Sequence, residues 1–134
     1  MKRESWHHPC ITLDVDGTFC PTRKPGESYD DLVPFHEMVA RIRQYRSWGY
    51  YIILDTGRQM RTHDHNVGRI NADTLPTLVE WLKKWEIPFD EIHIAKPWPG
   101  FNGFYIDDNT ITPKQFLEMK PEEVKPWLAT QKLE

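Results

Sequence analysis

The chain has 134 residues and 39% of them are hydrophobic, enough to bury one core, so we expect a single domain over residues 1–134. A formal net charge of -3 argues against nucleic acid as a partner, because duplex binders carry a basic face. No apolar stretch is long enough to span a membrane, and the N-terminus lacks the apolar region of a secretory signal. We therefore expect a cytoplasmic protein without a membrane partner.

The first half of the chain has the pattern strand, loop, helix, strand. In chain order, these elements are a strand from Ile11 to Val15, a loop over residues 17–31, a helix capped by Asp30 or Asp31 with Pro34 in its first turn and ending at Gly49, and a strand from Tyr50 to Leu54. Cys10 and Cys20 lie on either side of the first strand. We expect two reduced thiols there, because a single disulfide would add little stability to a domain of this size.

The second half continues the alternation of strands and helices. Its elements are a loop from Thr56 to Asp73, a helix from about Leu75 to Trp85 capped by Thr74 or Thr77, short strands at Ile92–Ala95 and Phe104–Ile106, and short helices near the C-terminus. Strands that alternate with helices predict an α/β fold, here a Rossmann-like parallel sheet with helices on both faces.

Each of the four predicted strands ends in polar residues. Ligands of parallel sheets bind beyond the carboxyl ends of the strands, so these residues are expected to lie at one edge. They are Asp14 and Asp16 after the first strand, Thr56, Gly57 and Arg58 after the second, Lys96 after the third, and Asp107 and Asp108 after the fourth. Phosphate and metal chemistry uses groups of these kinds.

The predicted edge carries an excess of negative charge. Asp14, Asp16, Asp107 and Asp108 face a single cation, Lys96, so the cluster repels itself unless a metal ion binds. Carboxylate and backbone oxygens are hard ligands that suit Mg²⁺. No cysteine or histidine stands among these positions to favour zinc. We therefore predict Mg²⁺ as the cofactor, with Asp107 or Asp108 as one of its direct ligands.

The two acids after the first strand are suited to phosphoryl transfer in two steps. Asp14 is predicted to be the nucleophile, because an ionised carboxylate can attack phosphorus and form an aspartyl-phosphate. Asp16 is predicted to act as acid and then base, since neighbouring negative charges raise its proton affinity. Lys96 and the Thr56 hydroxyl are expected to stabilise the phosphoryl oxygens.

Further residues near these acids are candidates for substrate contacts. Gly17 makes the sharp turn after Asp16, and Thr18 follows it with an amide that we expect to be free. In the loop after the second strand the candidates are Gly57, Arg58 and Arg61, because guanidinium groups match phosphate and carboxylate groups. A solvated loop without a ligand is the alternative interpretation of these arginines.

Four short segments resemble, in the same chain order, the four motifs of the haloacid dehalogenase (HAD) superfamily. They are "DVDGT" at residues 14–18, "DTGR" at 55–58, "AKP" at 95–97 and "YIDDN" at 105–109. The resemblance implies a Rossmann-like HAD core, dependence on Mg²⁺, Asp14 as nucleophile, Asp16 as acid/base and the activity of a phosphatase, a phosphoric monoester hydrolase. In this family the backbone carbonyl of the second acid, here Asp16, also holds the metal.

The segments between these motifs leave no room for the cap domain that HAD enzymes usually carry, so the chain resembles the capless branch. The segments "GRQMRTHDHNVGRIN", "TLPTLVEWL" and "KPWPGFNGFYIDD" further resemble a group of phosphatases associated with capsular polysaccharide biosynthesis. This implies a small phosphorylated substrate such as a sugar phosphate. Open sites of the capless branch act on large substrates or are covered by a neighbouring subunit, so a homo-oligomer is expected if the substrate is small.

Three alternatives to a phosphatase stay open. A phosphoacceptor receiver domain has similar acids and a lysine, but its lysine comes last, whereas here Asp107 and Asp108 follow Lys96. A degenerate HAD domain that only binds metal or a partner is the second, and the intact acids argue against it. The third is a HAD-type phosphotransferase, which shares the chemistry up to the aspartyl-phosphate.

Overall fold

The computed structural model describes residues 8–133, which divide into two compact units. The first unit runs up to Trp98, and the second begins at Pro99. The first residues of the expected single domain, 1–7, and residue 134 lie outside the described part of the chain. Each unit is described by itself below.

The first unit is built on three parallel strands in the order β1–β2–β3. These strands are β1 Cys10–Leu13, β2 Tyr51–Asp55 and β3 Glu91–His93. All apolar residues of the central strand are buried, and successive side chains of a strand point to opposite faces, so both faces of β2 are covered. The predicted α/β class with a parallel sheet flanked by helices is therefore confirmed.

The helix between β1 and β2, α1 His36–Ser47, begins later than the sequence predicts. Asp30 and Asp31 belong instead to a separate 3₁₀ turn, Tyr29–Asp31, in which the Ser28 hydroxyl accepts a hydrogen bond from the Asp30 amide. The expected helix cap at Asp30 or Asp31 is wrong. The reason is local, because Leu32 is extended and the residue before Pro34 is restricted to extended backbone as well.

Between β2 and β3 the chain forms α2 Val67–Arg69, a π-helical segment Ile70–Thr74, and α3 Leu75–Lys84. The expected cap of α3 at Thr74 or Thr77 is wrong, since Thr74 itself has helical backbone and its side chain makes no capping hydrogen bond. The run of helical turns is capped earlier, at Asn66, whose side chain accepts from the Arg69 amide at 3.1 Å. Trp81 of α3 donates its indole N–H to the Leu32 carbonyl at 2.8 Å.

The second unit contains α4 Pro113–Glu118 and α5 Pro121–Ala129, as expected for the C-terminal helices. The strand predicted at Phe104–Ile106 is wrong, because this segment has irregular backbone. Within residues 99–133 no strand is present with which it could pair, and an unpaired strand leaves its backbone groups unsatisfied. The turn before it is tight, since a Cβ at Gly103 would lie 2.1 Å from the Pro99 carbonyl oxygen.

Two further expectations concern the described residues as a whole. Cys10 and Cys20 are both free thiols, as predicted. None of the helices within residues 8–133 has the length and apolar character that crossing a membrane requires.

Candidate active site

The chain turns sharply just beyond β1, at the acids that the sequence singles out. The turn needs Gly17, which has a φ of +83° and donates its amide to the Cys20 carbonyl at 2.7 Å. The Thr18 amide donates to the Val15 carbonyl at 3.1 Å. The expected free amide at Thr18 is therefore wrong, because the turn itself uses this donor.

The environment of Asp14 disfavours its ionised form. Burial raises the pKa of this carboxyl above its ordinary value of 3.8, and the Lys96 ammonium and the Val15 amide offset only part of that effect. The carboxylates of Asp16 and Asp55 add to the rise. Asp55, the first letter of the "DTGR" motif, was not among the predicted site residues.

The segments after β2 and β3 approach each other closely. The Lys96 amide donates to the Thr56 carbonyl at 3.1 Å, and a Cβ at Gly57 would lie 2.8 Å from the Lys96 carbonyl oxygen. Only glycine tolerates this approach without a backbone shift. Ala95, just before Lys96, has a φ of +65°, a left-handed conformation that costs energy in a residue with a side chain.

Thr56 lies at the end of β2 with its hydroxyl partly engaged. The side chain is buried, and its oxygen accepts the Arg58 amide at 3.1 Å. Because the oxygen serves as an acceptor there, the hydroxyl hydrogen is left to donate to another group. A phosphoryl oxygen is a group of that kind.

Arg58 forms a contact that the sequence did not predict. Its Nε donates to one carboxylate oxygen of Asp16 at 3.1 Å, and its Nη2 donates to the other at 2.9 Å. The Arg58 side chain is 1% exposed and that of Asp16 is 22% exposed. The predicted role of Arg58 in substrate binding stays a prediction, beside an observed ion pair with the second acid.

Cys20 lies beside the same carboxylate. Its Sγ is 3.8 Å from an Asp16 oxygen, and burial, together with the Asp16 charge, raises the pKa of the thiol to about 12. A thiol with such a pKa stays protonated at neutral pH, so it is neither a nucleophile nor a metal ligand in this state.

The remaining predicted residues lie farther along the chain. Arg61 is exposed, with its guanidinium 5.8 Å from the ring centre of Trp98. Asp107 and Asp108 belong to the second unit, where Asp107 accepts the Asn109 amide at 3.0 Å. Their roles as metal ligands stay predictions. Across residues 8–133, no three His, Cys, Asp or Glu residues are grouped in a way that could hold a metal ion.

A cavity of about 250 Å³ lies against Arg58. Its lining side chains carry hydrogen-bonding groups, among them two threonine hydroxyls, an amide and an imidazole. The lining residues are Tyr29, Arg58, Gln59, His63, Asp73, Thr74 and Thr77. Gln59 has a φ of +62°, and its side chain accepts a hydrogen bond from the Thr74 hydroxyl. The cavity therefore offers several hydrogen-bonding groups within a wall that also exposes carbon atoms, as pockets for small molecules commonly do.

These features define an α/β protein with a partly buried acidic pair at the carboxyl edge of a parallel sheet. No protein-family model matches the chain, and no curated protein matches it. A Vibrio cholerae protein known from its crystal structure is 38% identical, with a TM-score of 0.86, over 92% of this chain and 99% of the Vibrio chain. The chain belongs to the family of this Vibrio protein.

Two more distant structures are similar to part of the chain. One is D,D-heptose 1.7-bisphosphate phosphatase from B. bronchiseptica, complexed with magnesium and phosphate, at 17% identity and a TM-score of 0.47 over 70% of this chain and 53% of that one. The other is a chain of the Pnkp1/Rnl/Hen1 complex, at 23% identity and a TM-score of 0.48 over 85% of this chain and 36% of that one. At this level of similarity, neither indicates what this protein does.

Proposed function

We propose that this protein is a Mg²⁺-dependent phosphatase of the HAD type that cleaves a phosphomonoester through an aspartyl-phosphate on Asp14. The observation that carries the proposal is the environment of the Asp14 carboxylate, which is desolvated beyond β1 and attracted by Lys96. Removing water from a carboxylate leaves it a better nucleophile, and a fixed ammonium beside it is suited to attract an incoming phosphate.

In the first step an Asp14 oxygen attacks phosphorus, and the bond between phosphorus and the leaving-group oxygen breaks. Asp16 gives its proton to that oxygen, so the leaving group departs as an alcohol. In the second step Asp16 takes a proton from water, and the water oxygen attacks phosphorus, which releases inorganic phosphate and restores Asp14. Two acids at one turn thus serve two different roles.

Thr56 and Lys96 act on the phosphoryl group in both steps. The Thr56 hydroxyl has its oxygen occupied by the Arg58 amide, so its hydrogen is available for a phosphoryl oxygen. The Lys96 ammonium neutralises charge on the oxygens that the attack brings close to Asp14. The strained backbone at Ala95 is consistent with a lysine whose position matters.

The donor chemistry of the first unit fits a magnesium ion. Asp14 carries a carboxylate whose ionised form the Asp16 and Asp55 charges disfavour, and a bound cation relieves that repulsion. The Asp14 carboxylate and the Asp16 backbone carbonyl would hold the ion, with Asp107 or Asp108 as a further ligand. When bound, Mg²⁺ supplies charge neutralisation and orientation of the phosphate.

The proposed substrate is a small phosphorylated molecule, a sugar phosphate of polysaccharide biosynthesis. The cavity beside Arg58 supports this class, because the amide, hydroxyl and imidazole groups in its lining pair well with sugar hydroxyls. Between β1 and β2, and again between β2 and β3, the chain forms only the elements given above, which supports membership of the capless branch. A homo-oligomer that covers the open edge belongs to the same proposal.

Hydrolysis of 4-nitrophenyl phosphate by the full chain, with Mg²⁺ and with a chelator, tests the activity. We expect turnover only with Mg²⁺, and no turnover by Asp14→Asn. Asp30→Asn is the matched control, because Asp30 is an exposed acid on the 3₁₀ turn and its loss should leave the rate unchanged. Substantial activity in Asp14→Asn would remove Asp14 from the nucleophile role.

Trapping of the intermediate separates the proposed phosphatase from its alternatives. Borohydride reduction of acid-quenched enzyme converts an aspartyl-phosphate to homoserine, and peptide mass spectrometry should find it at residue 14. A phosphoacceptor domain would show the adduct without turnover. A phosphotransferase would release more product when a sugar alcohol is added as acceptor than it does in water alone.

A further inference from the structure

Arg58 clamps the second acid of the site through two hydrogen bonds. Its Nε and Nη2 reach the two oxygens of Asp16 at 3.1 and 2.9 Å. A bidentate pair of this kind fixes the plane of the carboxylate as well as its distance, because the guanidinium and carboxylate groups are both flat. The orientation of Asp16 is thus set by a residue that lies 42 positions away in the chain.

The guanidinium of Arg58 is itself held in place by an aromatic ring. Its central carbon lies 4.2 Å from the ring centre of Tyr29, and the guanidinium carbon of Arg23 lies 4.8 Å from the centre of that ring. Tyr29 begins the 3₁₀ turn that the Ser28 hydroxyl closes. The loop before α1 therefore supports Arg58 on one face while Asp16 binds its edge.

Stability alone gives a poor reason for this arrangement. A buried ion pair often contributes no more than well-packed apolar residues would, because both charges lose their water. The Nη1 of Arg58 is buried and has no hydrogen-bond partner within residues 8–133, so the loss of water is not fully compensated. Since the ion pair costs free energy of folding, it is more simply explained by the function of Asp16, the acid that it holds.

We propose that Arg58 and Tyr29 are positioning residues that hold the Asp16 carboxylate toward the scissile bond. The inference rests on the proposed function, in which Asp16 exchanges a proton with the leaving group and then with water. Arg58 occupies one lone-pair position on each Asp16 oxygen and the Cys20 thiol occupies the second position on Oδ1, so one of the four positions, on Oδ2, stays open. The Asp16 side chain is 22% exposed, so this open position is reachable from the site.

A double-mutant cycle tests whether Arg58 acts through Asp16. The variants are Arg58→Met, Asp16→Ala and the double variant, assayed with Mg²⁺ on 4-nitrophenyl phosphate. Its leaving group departs without full protonation, so the loss of kcat reports the role of Asp16 as base toward water in the second step. We expect Arg58→Met to lower kcat about 100-fold with little change in KM, because a misplaced catalytic group costs that much. In the Asp16→Ala background, the same change should lower kcat no further.

Conservative changes give an independent reading. Tyr29→Phe keeps the ring under Arg58 and should retain much more of kcat than Tyr29→Leu, which removes the ring and should lower kcat in the same sense as Arg58→Met. Arg58→Lys keeps the charge but not the bidentate geometry, so it should rescue kcat only in part. Arg43→Met is the matched control, because Arg43 is an exposed arginine of α1.

Circular dichroism and urea denaturation check that each variant is folded. If Arg58→Met does not fold, the cycle is run with Tyr29→Leu in its place. An equal loss of kcat in the wild-type and Asp16→Ala backgrounds would overturn the positioning role while the proposed phosphatase stands. A wild-type chain that does not hydrolyse the aryl phosphate would overturn the proposed function, and this inference with it.

Discussion

Replacing Asp14 with asparagine is expected to stabilise the fold at neutral pH, although it abolishes turnover. Burial raises the pKa of Asp14 above 3.8, so its ionised form is less stable in the folded chain than in the unfolded one. The stability linked to this group is complete below the unfolded pKa and is lost as pH rises through the folded pKa. Asparagine removes the charge, and we expect a gain of about 0.5–2 kcal/mol, the usual size of a single stabilising change.

Asparagine at Asp90 is expected to have the opposite effect. Asp90 precedes β3 and accepts the Ile52 amide at 2.8 Å and the Arg46 guanidinium at 2.9 and 3.0 Å. Burial opposes its ionisation, but these hydrogen bonds outweigh that effect and lower its pKa below 3.8. Its stability is therefore present above the unfolded pKa and is lost as pH falls through the folded pKa.

The size of the Asp90 effect follows from its partners. The Asp90 side chain is 3% exposed and that of Arg46 is 27% exposed. In Asp90→Asn, water can therefore replace part of the hydrogen bonding that the Arg46 guanidinium loses. Asparagine replaces one of the two acceptor oxygens by an NH₂ group, which cannot accept from Arg46, and it removes the charge from the contacts that remain. A hydrogen bond to a charged group contributes about 1.5–3 kcal/mol. We expect Asp90→Asn to cost about 1–3 kcal/mol, which is about 4 °C in Tm per kcal/mol for a domain of this size.

Urea denaturation of the wild-type protein, Asp14→Asn and Asp90→Asn measures both effects. The measurement is made in the presence of a chelator at about pH 7 and at about pH 4. The gain in Asp14→Asn and the loss in Asp90→Asn should both shrink at the lower pH, because the wild-type carboxylates then begin to take up protons. Chelator is needed because a bound cation would favour ionised Asp14. Changes of the same sign at neutral pH, or effects that do not depend on pH, would refute the electrostatic reasoning.

Three further outcomes are expected. A chelator should stop hydrolysis and added Mg²⁺ should restore it. A rate of hydrolysis that does not change with chelator would contradict the prediction that Mg²⁺ is the cofactor. Gly57→Ala should cost about 1–3 kcal/mol by overpacking, because its Cβ would lie 2.8 Å from the Lys96 carbonyl oxygen; an unchanged urea midpoint argues against this close approach. Thr77→Val should raise KM for sugar phosphates and leave KM for aryl phosphate unchanged, since Thr77 lines the cavity beside Arg58; equal effects on both substrates would exclude the cavity as the sugar site.

Strand positions were predictable where an uninterrupted run of apolar residues marks the strand. The run before Asp55 is buried along the whole of β2, and parallel pairing with β1 and β3 follows from the helices between the strands. The prediction of a fourth strand failed because a strand forms only beside a partner strand. The apolar residues Phe104 and Ile106 do not indicate whether such a partner is present. The predicted helix start at Asp30 failed because extended backbone at Leu32 separates the 3₁₀ turn from α1. The predicted cap at Thr74 failed because Asn66 caps the run of helical turns earlier.

The acidic pair was predictable, and the contact that holds it was not. Asp14 and Asp16 stand out in the sequence because carboxylates rarely follow a buried strand without a partner. Arg58 looks like any arginine in a polar loop. Its burial depends on the Tyr29 ring and on the Asp16 carboxylate, two groups from other parts of the chain, so only the folded structure shows the ion pair.

The ion pair also bears on the proposed role of Mg²⁺. Arg58 pairs with Asp16, and Lys96 attracts Asp14, so each acid after β1 already faces a cation before substrate enters. A phosphate dianion adds negative charge that these engaged cations cannot fully neutralise. Binding of Mg²⁺ and of phosphate should therefore favour each other, and the coupling must be equal in both directions.

Calorimetric titration of Mg²⁺ into the protein, with and without inorganic phosphate, measures that coupling. We expect phosphate to tighten Mg²⁺ binding at least about 5-fold, the lower end of common coupling between sites. Phosphate binding should tighten by the same factor when Mg²⁺ is present, which provides an internal check. Equal Mg²⁺ affinities in the two titrations would mean that the acids alone create the need for the ion, and that Arg58 does not neutralise Asp16 in solution.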